Sequence, residues 1–418
     1  MPINTKTLVW ILGGIALLLI AALIVWLFLV APKQTSGGNN SQTGTNLGTS
    51  NTQTVGTSNT NTQQDTTNQV TQLGNISTQR VFKIADGPIS GATFTQTFLP
   101  TTTLARYVLQ ENGHVMDQPI DVPGSLSRAV SNTTIPGTAK VFWSKGGSYA
   151  YMQYVDEGVV KTVSLAFPDP ATSTRSIPKP VQIQFLPDNA TAIAVSPSGA
   201  QVAYLLGTAG GSDGYVMNAD GSNTKKIFSV GFSQLLLSWP AANTLLLTTK
   251  SAAGAPGMAF SVEVKSGSVV PLIYATGLSA IADTSFNNIL YRAETGGAPS
   301  SYLHNAKQGT DIPLSFSPIP EKCVWGNVAT STLYCGSPIQ YTDSTYLDRW
   351  HMGLMSAADV IVSFIPSLNA KTDAIAVPGS SDGGVQSDIL EMAVSPDDKY
   401  LLFIKKGDRS LWGVRLSQ

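Results

Sequence analysis

Residues Ala194–Gly207 read AVSPSGAQVAYLLG, and Ala393–Ile404 read AVSPDDKYLLFI. In both, an apolar stretch enters a turn of Ser, Pro, Gly or Asp, and a β-branched or aromatic stretch leaves it, which is a hairpin signature. A phrase that recurs is tested as an internal repeat by its spacing. Related segments begin at Phe142 (FWSKGGSYAYMQY), Leu237 (LSWPAANTLLLTT), Ile281 (IADTSFNNILYRA) and Val324 (VWGNVATSTLYCG). Ser144, Ser196, Trp239, Asp283, Gly326 and Ser395 take equivalent positions, and they follow one another at nearly even steps until the last. All steps but that one approach the roughly 40–50 residues of a four-stranded propeller blade. The last is longer because Gly336 to Ser363 carries an excursion.

A further unit precedes Phe142, where GATFTQ, LARYVLQ and HVMDQPIDV, starting at Gly91, Leu104 and His114, read as short strands between turns. Seven units therefore lie between about Gln79 and Gln418. The last has three convincing strands, and Val81–Ala85 (VFKIA) has no partner of its own. Pairing that segment into the last blade closes the ring and removes an open sheet edge. The expected fold is all-β, a seven-bladed β-propeller over residues 80–418.

The clearest full unit continues from AVSPSGAQVAYL into GYVMNADGSNTKKI, Gly214 to Ile227. Together these resemble the WD40-like repeat of the TolB type, and SPDDKYLLFIKKGDRSLWGVRL from Ser395 follows the same pattern. Trp239, Asp283 and Gly326 depart from its turn Ser. The resemblance implies a β-propeller and a role in envelope assembly. Asp220, Asp397 and Asp398 then read as turn residues, since Asp is favoured in turns without any site.

Ahead of the propeller, Leu8–Ala31 (LVWILGGIALLLIAALIVWLFLVA) is charge-free. As a helix it is long enough to cross a hydrocarbon layer of roughly 30 Å. Trp10 and Trp26 lie toward its ends, as interfacial indoles do. A transmembrane helix over 8–31 is expected, after a short cytoplasmic N-terminus over 1–7. Residues 32–79 are rich in Ser, Thr, Asn, Gln and Gly with no apolar period, so a disordered tether is expected. Its typical reach is on the order of 40 Å. Lys6 and Lys33 flank the helix and leave no charge asymmetry to orient it.

Cys323 and Cys335 are the only cysteines. In KCVWGNVATSTLYCG the strand holding Cys323 turns near Ala329 and returns through Cys335, which places the two opposite each other. A disulfide is expected, and with it an oxidising space outside the cytoplasm.

The chain has a net charge of -1 and no long basic run, which argues against a nucleic-acid partner. There is no G-x-S-x-G elbow, no Walker A or Rossmann glycine pattern after a strand, and no H-E-x-x-H among three histidines. Neither a metal site nor a cofactor is expected. One segment is richer than the rest: PIQYTDSTYLDRWHMGLMSAAD, Pro338–Asp359, gathers Tyr341, Asp343, Tyr346, Asp348, Arg349, Trp350 and His351. Aromatic and charged side chains on a loop held by a rigid scaffold suit a recognition surface. A helical insertion packing Trp350, Met352 and Leu354 against the blade is the other reading. Asp343 and Asp348 could form an acid/base pair, though their spacing does not compel it.

These observations predict a non-enzymatic, single-pass plasma-membrane protein with an extracytoplasmic propeller that binds an envelope or cell-surface protein. The rival from another class is an enzyme acting on envelope glycans or peptides, with acids gathered in the propeller funnel from different blades.

Overall fold

A computed structural model describes residues 79–416 apart from 99–100, 132, 168–181, 330, 341 and 377–386. The transmembrane expectation for 8–31 and nearly all of the tether expectation for 32–79 lie outside the described residues. Among the described residues no helix is long and apolar enough to cross a membrane.

The chain opens on β1 (Val81–Ala85). Blade 1 follows as β2 (Ile89–Phe98), β3 (Thr101–Leu109), β4 (Val115–Pro119) and β5 (Arg128–Ala129). Blade 2 is β6 (Lys140–Trp143), β7 (Tyr149–Asp156), β8 (Val159–Ala166) and β9 (Gln182–Phe185). Blade 3 is β10 (Ala190–Val195), β11 (Gln201–Thr208), β12 (Gly211–Asn218) and β13 (Lys225–Val230). Blade 4 is β14 (Leu235–Ala241), β15 (Thr244–Thr249), β16 (Pro256–Glu263) and β17 (Val269–Thr276). Blade 5 is β18 (Ser279–Ala282), β19 (Asn288–Thr295), β20 (Ala298–Asn305) and β21 (Thr310–Pro313). Blade 6 is β22 (Cys323–Trp325), β23 (Leu333–Pro338), β24 (Asp359–Ile365) and β25 (Ala370–Ala376). Blade 7 is β26 (Ile389–Val394), β27 (Tyr400–Lys405) and β28 (Leu411–Arg415).

Each blade is a four-stranded antiparallel meander, and the seventh is completed by β1, in the order β1-β28-β27-β26. The expected closure is present. Val81 pairs with Val414 and Phe82 with Gly413, and Phe82 and Ile84 are fully buried there. The first strands surround the axis, β2 touching β6 and β26, β10 touching β6 and β14, and β22 touching β26. Apolar clusters fill the wedges between successive sheets. Phe82, Phe94, Tyr107 and Leu411 join blades 7 and 1, for example, and Leu290, Trp325 and Phe364 join blades 5 and 6.

The repeated phrase has one physical cause. In blades 2, 3, 5 and 7 the residue at Ser144, Ser196, Asp283 or Ser395 opens a turn closed by an N–H three residues on, at Gly147, Gly199, Phe286 or Asp398. Those closing residues all have left-handed φ, at 70°, 74°, 56° and 55°. The opening side chain then accepts the N–H five residues on, from Tyr149 (2.8 Å), Gln201 (3.0 Å), Asn288 (3.1 Å) and Tyr400 (3.0 Å). A hydroxyl or carboxylate at the start of the turn thus satisfies a backbone donor that the ladder leaves over. Blade 4 differs: Trp239 lies inside β14, which runs on to Ala241 before turning.

Asp220 and Asp397 serve their own turns, accepting Ser222 N and Lys399 N. Asp398 instead reaches the preceding blade and accepts the N–H groups of Asn327, Val328 and Ala329 at 2.8–3.0 Å. Cys323 and Cys335 are directly paired across β22 and β23 and form a disulfide, as their placement predicted.

The two ends of the ring carry different connections. The repeated turns mark one end, called here the turn end. The blade-to-blade connections and the loops joining second to third strands mark the other, the crossover end.

Candidate functional site

The excursion in blade 6 leaves β23 after Pro338 and rejoins at Asp359, at the crossover end. It is shorter than the expected Gly336–Ser363 because both flanking strands extend into it. Its single helix, α1 (Tyr346–His351), buries Tyr346, Leu347 and Trp350 with Ile319 and Ala357 in a small apolar cluster of its own. A helix this short is marginal on propensity alone, so tertiary contacts hold it.

Those contacts centre on a buried ionic knot. Lys322 Nζ donates to Asp359 Oδ2 and Asp388 Oδ1, both at 2.7 Å, from three connections brought together by blades 5, 6 and 7. Asp388 also accepts Trp350 Nε1 at 2.8 Å and Ala357 N at 3.0 Å, so the knot fixes the helix. Lys406 donates to the Trp350 carbonyl at 2.6 Å and sits 4.6 Å from the centre of its ring, with Lys322 at 4.8 Å. Burial pushes the Lys322 ammonium down, but Asp359, Tyr346 and Asp388 outweigh it and hold it above its ordinary value. Burial raises the Asp359 carboxyl despite Lys322, and it pushes the Tyr346 phenol up to about 12.

The other end of the insertion is strapped to blades 5 and 4. Arg292 Nη2 donates to Thr342 Oγ1 at 2.9 Å, and Ala253 N donates to Asp348 Oδ2 at 3.0 Å. Asp343 pairs with Arg349 at 2.8 Å and accepts the Thr345 hydroxyl at 2.9 Å. Partial burial pushes the Asp343 carboxyl up, and Thr345 with Arg349 outweighs it, so Asp343 lies below the usual carboxylate range. His351 Nε2 lies 2.7 Å from Glu321 Oε2. That carboxylate holds the imidazole above its ordinary value against a smaller effect of burial.

Of the sequence-predicted residues, then, Tyr346 and Trp350 are core, Asp343 and Arg349 pair with each other, and Asp348 and His351 face a cavity. Tyr341 lies outside the described residues. The packing expectation holds for Trp350 and fails for Met352 and Leu354, which are 64% and 70% exposed. The short α1 ends at His351, and the chain beyond it turns outward through Gly353, at φ 73°.

The cavity, of about 740 Å³, has Leu236 and Met352 as apolar walls and Lys250, Ser251, Glu321, Asp348 and His351 as polar ones. A smaller one of about 170 Å³ between blades 4 and 5 shares Leu236, Ser251 and Glu321. Among the described residues no group of three or more His, Cys, Asp or Glu could hold a metal ion.

Sequence reasoning missed Lys322, Asp359 and Asp388. Each sits directly at the start of an apolar strand, CVW, VIVSFI and IL respectively. A charge fused to a buried strand is the one signal that could have flagged them, because such a charge needs a partner.

No family model matches the chain, and no curated protein matches it. Solved structures do. An oligogalacturonate lyase from Vibrio parahaemolyticus aligns over 82% of this chain and 96% of its own, at 9% identity and a TM-score of 0.53. The β-propeller domain of Cps50 (Swd1) from Myceliophteria thermophila covers 81% and 100%, at 9% identity and 0.50. TolB from Acinetobacter baumannii aligns over 80% and 66%, at 10% identity and 0.39. Likeness at this identity shows the fold alone.

Proposed function

We propose that this chain is a non-enzymatic binding propeller whose recognition surface is the crossover end around the blade 6 insertion. It presents that surface to a protein partner outside the cytoplasm, from a membrane anchor over residues 8–31. The observation that carries the reading is a contrast within the insertion. Trp350 is locked by Asp388 and Lys406, yet Met352 and Leu354, a few residues on, are 64% and 70% exposed beside charged groups. Exposed apolar side chains on a rigid mount suit recognition, because the ordering cost of binding is largely met in advance.

The candidate acids are engaged elsewhere: Asp343 by Arg349, Asp348 by a backbone N–H, and Asp359 and Asp388 by Lys322. That arrangement supports a structural use of these carboxylates over an acid/base pair. The Cys323–Cys335 bond supports the extracytoplasmic placement, since lasting disulfides belong to oxidising compartments.

The test is co-purification of the full chain from its native membranes, compared with the double variant Met352→Asp, Leu354→Asp. The variant is expected to lose the co-purifying partner at an unchanged melting temperature. A partner retained in full by the variant would contradict the reading.

A further inference from the structure

The outermost strand of each blade ends its sheet on an open backbone edge, where another strand can add. In six of the seven the sequence of that strand holds a charged residue or a proline: Lys83 in β1, Arg128 in β5, Lys225 in β13, Pro271 in β17, Asp311 in β21 and Lys371 in β25. Such residues guard an edge against pairing. The seventh, β9 in blade 2, reads Gln182-Ile183-Gln184-Phe185 and has neither.

The side chains that β9 exposes are apolar, Ile183 at 46% and Phe185 at 67%. They lie directly opposite Leu165 and Val163, which are buried with residues of blade 1, so they carry that apolar face outward. Blade 1 leaves them uncovered, its own outer strand β5 being two residues long. Gln184 points to the other face, over the blade 3 turn at Gly221. Lys161 and Asp188, the charges at the crossover end of this blade's outer strands, pair with each other at 2.7 Å.

The backbone of β9 opens outward at the same two residues. The Leu186 N–H donates to the Thr162 carbonyl at 3.0 Å. Antiparallel bonding alternates, so Gln184 also bonds toward β8, and the N–H and C=O groups of Ile183 and Phe185 point out of the sheet. That pattern is self-complementary. Two copies of β9 laid antiparallel about Gln184 set Ile183 of each against Phe185 of the other. Both members of each pair offer outward backbone groups, so they exchange hydrogen bonds, and a β-branched side chain meets an aromatic one.

We infer that β9 is a homotypic edge, through which two copies of this chain join blade 2 to blade 2 as one continuous antiparallel sheet, with a two-fold axis at Gln184. A strand this short buries less than the roughly 1200 Å² of a stable interface, so the association is weak and rises with concentration. The contact lies on the rim of the ring. The inference is therefore independent of the recognition surface at the crossover end.

The experiment is disulfide trapping of the full chain in its native membranes. Gln184→Cys puts a thiol at the two-fold axis, in a non-hydrogen-bonded pair whose Cα atoms lie about 4.5 Å apart, within disulfide reach. Added diamide takes up the two electrons and two protons released as the bond forms. Cys323 and Cys335 are already bonded to each other and do not compete. A disulfide-linked dimer is expected from Gln184→Cys and none from Tyr274→Cys, whose side chain is 71% exposed on the outer strand of blade 4. Adding Phe185→Lys to Gln184→Cys should cut the dimer about tenfold at an unchanged melting temperature, because both apolar pairs are lost. No dimer from position 184, as much dimer from position 274, or a dimer indifferent to Phe185→Lys would overturn the proposal. So would a linked product of any other mass, which would put a different protein on this edge.

Discussion

Lys322 Nζ and Asp388 Oδ1 lie 2.7 Å apart across 66 residues of sequence, and neither side chain is more than 3% exposed. This contact and its twin to Asp359 join the connections around blades 5, 6 and 7 and anchor the helix of the insertion. Lys322→Met would leave Asp359 buried with no cation beside it and Asp388 with only Lys406, 3.8 Å away. Breaking such a pair costs about 3–5 kcal/mol, and unfolding in denaturant should show a loss of that order. The loss should shrink in acid, where the carboxylates are neutral, and in the triple variant that adds Asp359→Asn and Asp388→Asn. A Lys322→Met protein as stable as the parent at neutral pH would remove the knot from the account.

Ring closure carries a second prediction. Phe82 is 1% exposed, and its ring lies where a Cβ on Gly413 would fall, at 2.5 Å. Phe82→Ala should cost roughly 3–5 kcal/mol, as large aromatic truncations in cores do. Gly413→Ala should also destabilise, because the added methyl meets that ring. Deleting an equal length between residues 40 and 60 should leave the propeller's melting temperature unchanged. Equal losses from the tether deletion and from deleting residues 80–85 would contradict closure by β1.

The cysteines test the compartment as well as the fold. The bond spans a sequence separation of 12. Removing a crosslink of that loop size costs up to roughly 3 kcal/mol by the chain-entropy model. The double variant Cys323→Ala, Cys335→Ala should lose stability up to that amount. Alkylation of intact cells before lysis should find no free thiol on the parent protein. Labelled thiols in that experiment would remove the support for an extracytoplasmic propeller.

His351 supplies a pH dependence. Its folded pKa is raised by Glu321. The stabilisation is therefore fully present below the unfolded value near about 6.5 and is lost as pH rises through the folded one. His351 is half exposed, so solvent screens the effect and the change in stability is small. The sharper readout is the imidazole titration followed by NMR. Its midpoint should lie above the ordinary value in the parent and fall in Glu321→Gln. A midpoint unmoved by that substitution would break the assigned pairing.

The fold was legible because each blade needs the same turn, and a turn with a left-handed residue three places after a Ser or Asp leaves a local trace. Ser196 and Gly199 show it openly, whereas Phe286 conceals it at φ 56°. An aromatic residue is not a usual choice in that conformation. Closure and the disulfide were legible for a similar reason, being matters of strand count and register. The site was legible only in part. Segment richness found the insertion, but it could not separate Trp350, which is core, from Met352 and Leu354, which are exposed. That division is set by Lys322 and Asp388, whose positions are far apart in the chain and meet only when three blades are assembled.

The most direct measurement uses a photo-reactive residue placed at Leu354 in the crossover end, compared with one at Val328 in the turn end of the same blade, both 70% exposed. On irradiation of intact cells, the account predicts a discrete crosslinked protein from position 354 and none from position 328. Equal products from both positions, or none from 354 while 328 yields one, would contradict a recognition surface built on the insertion.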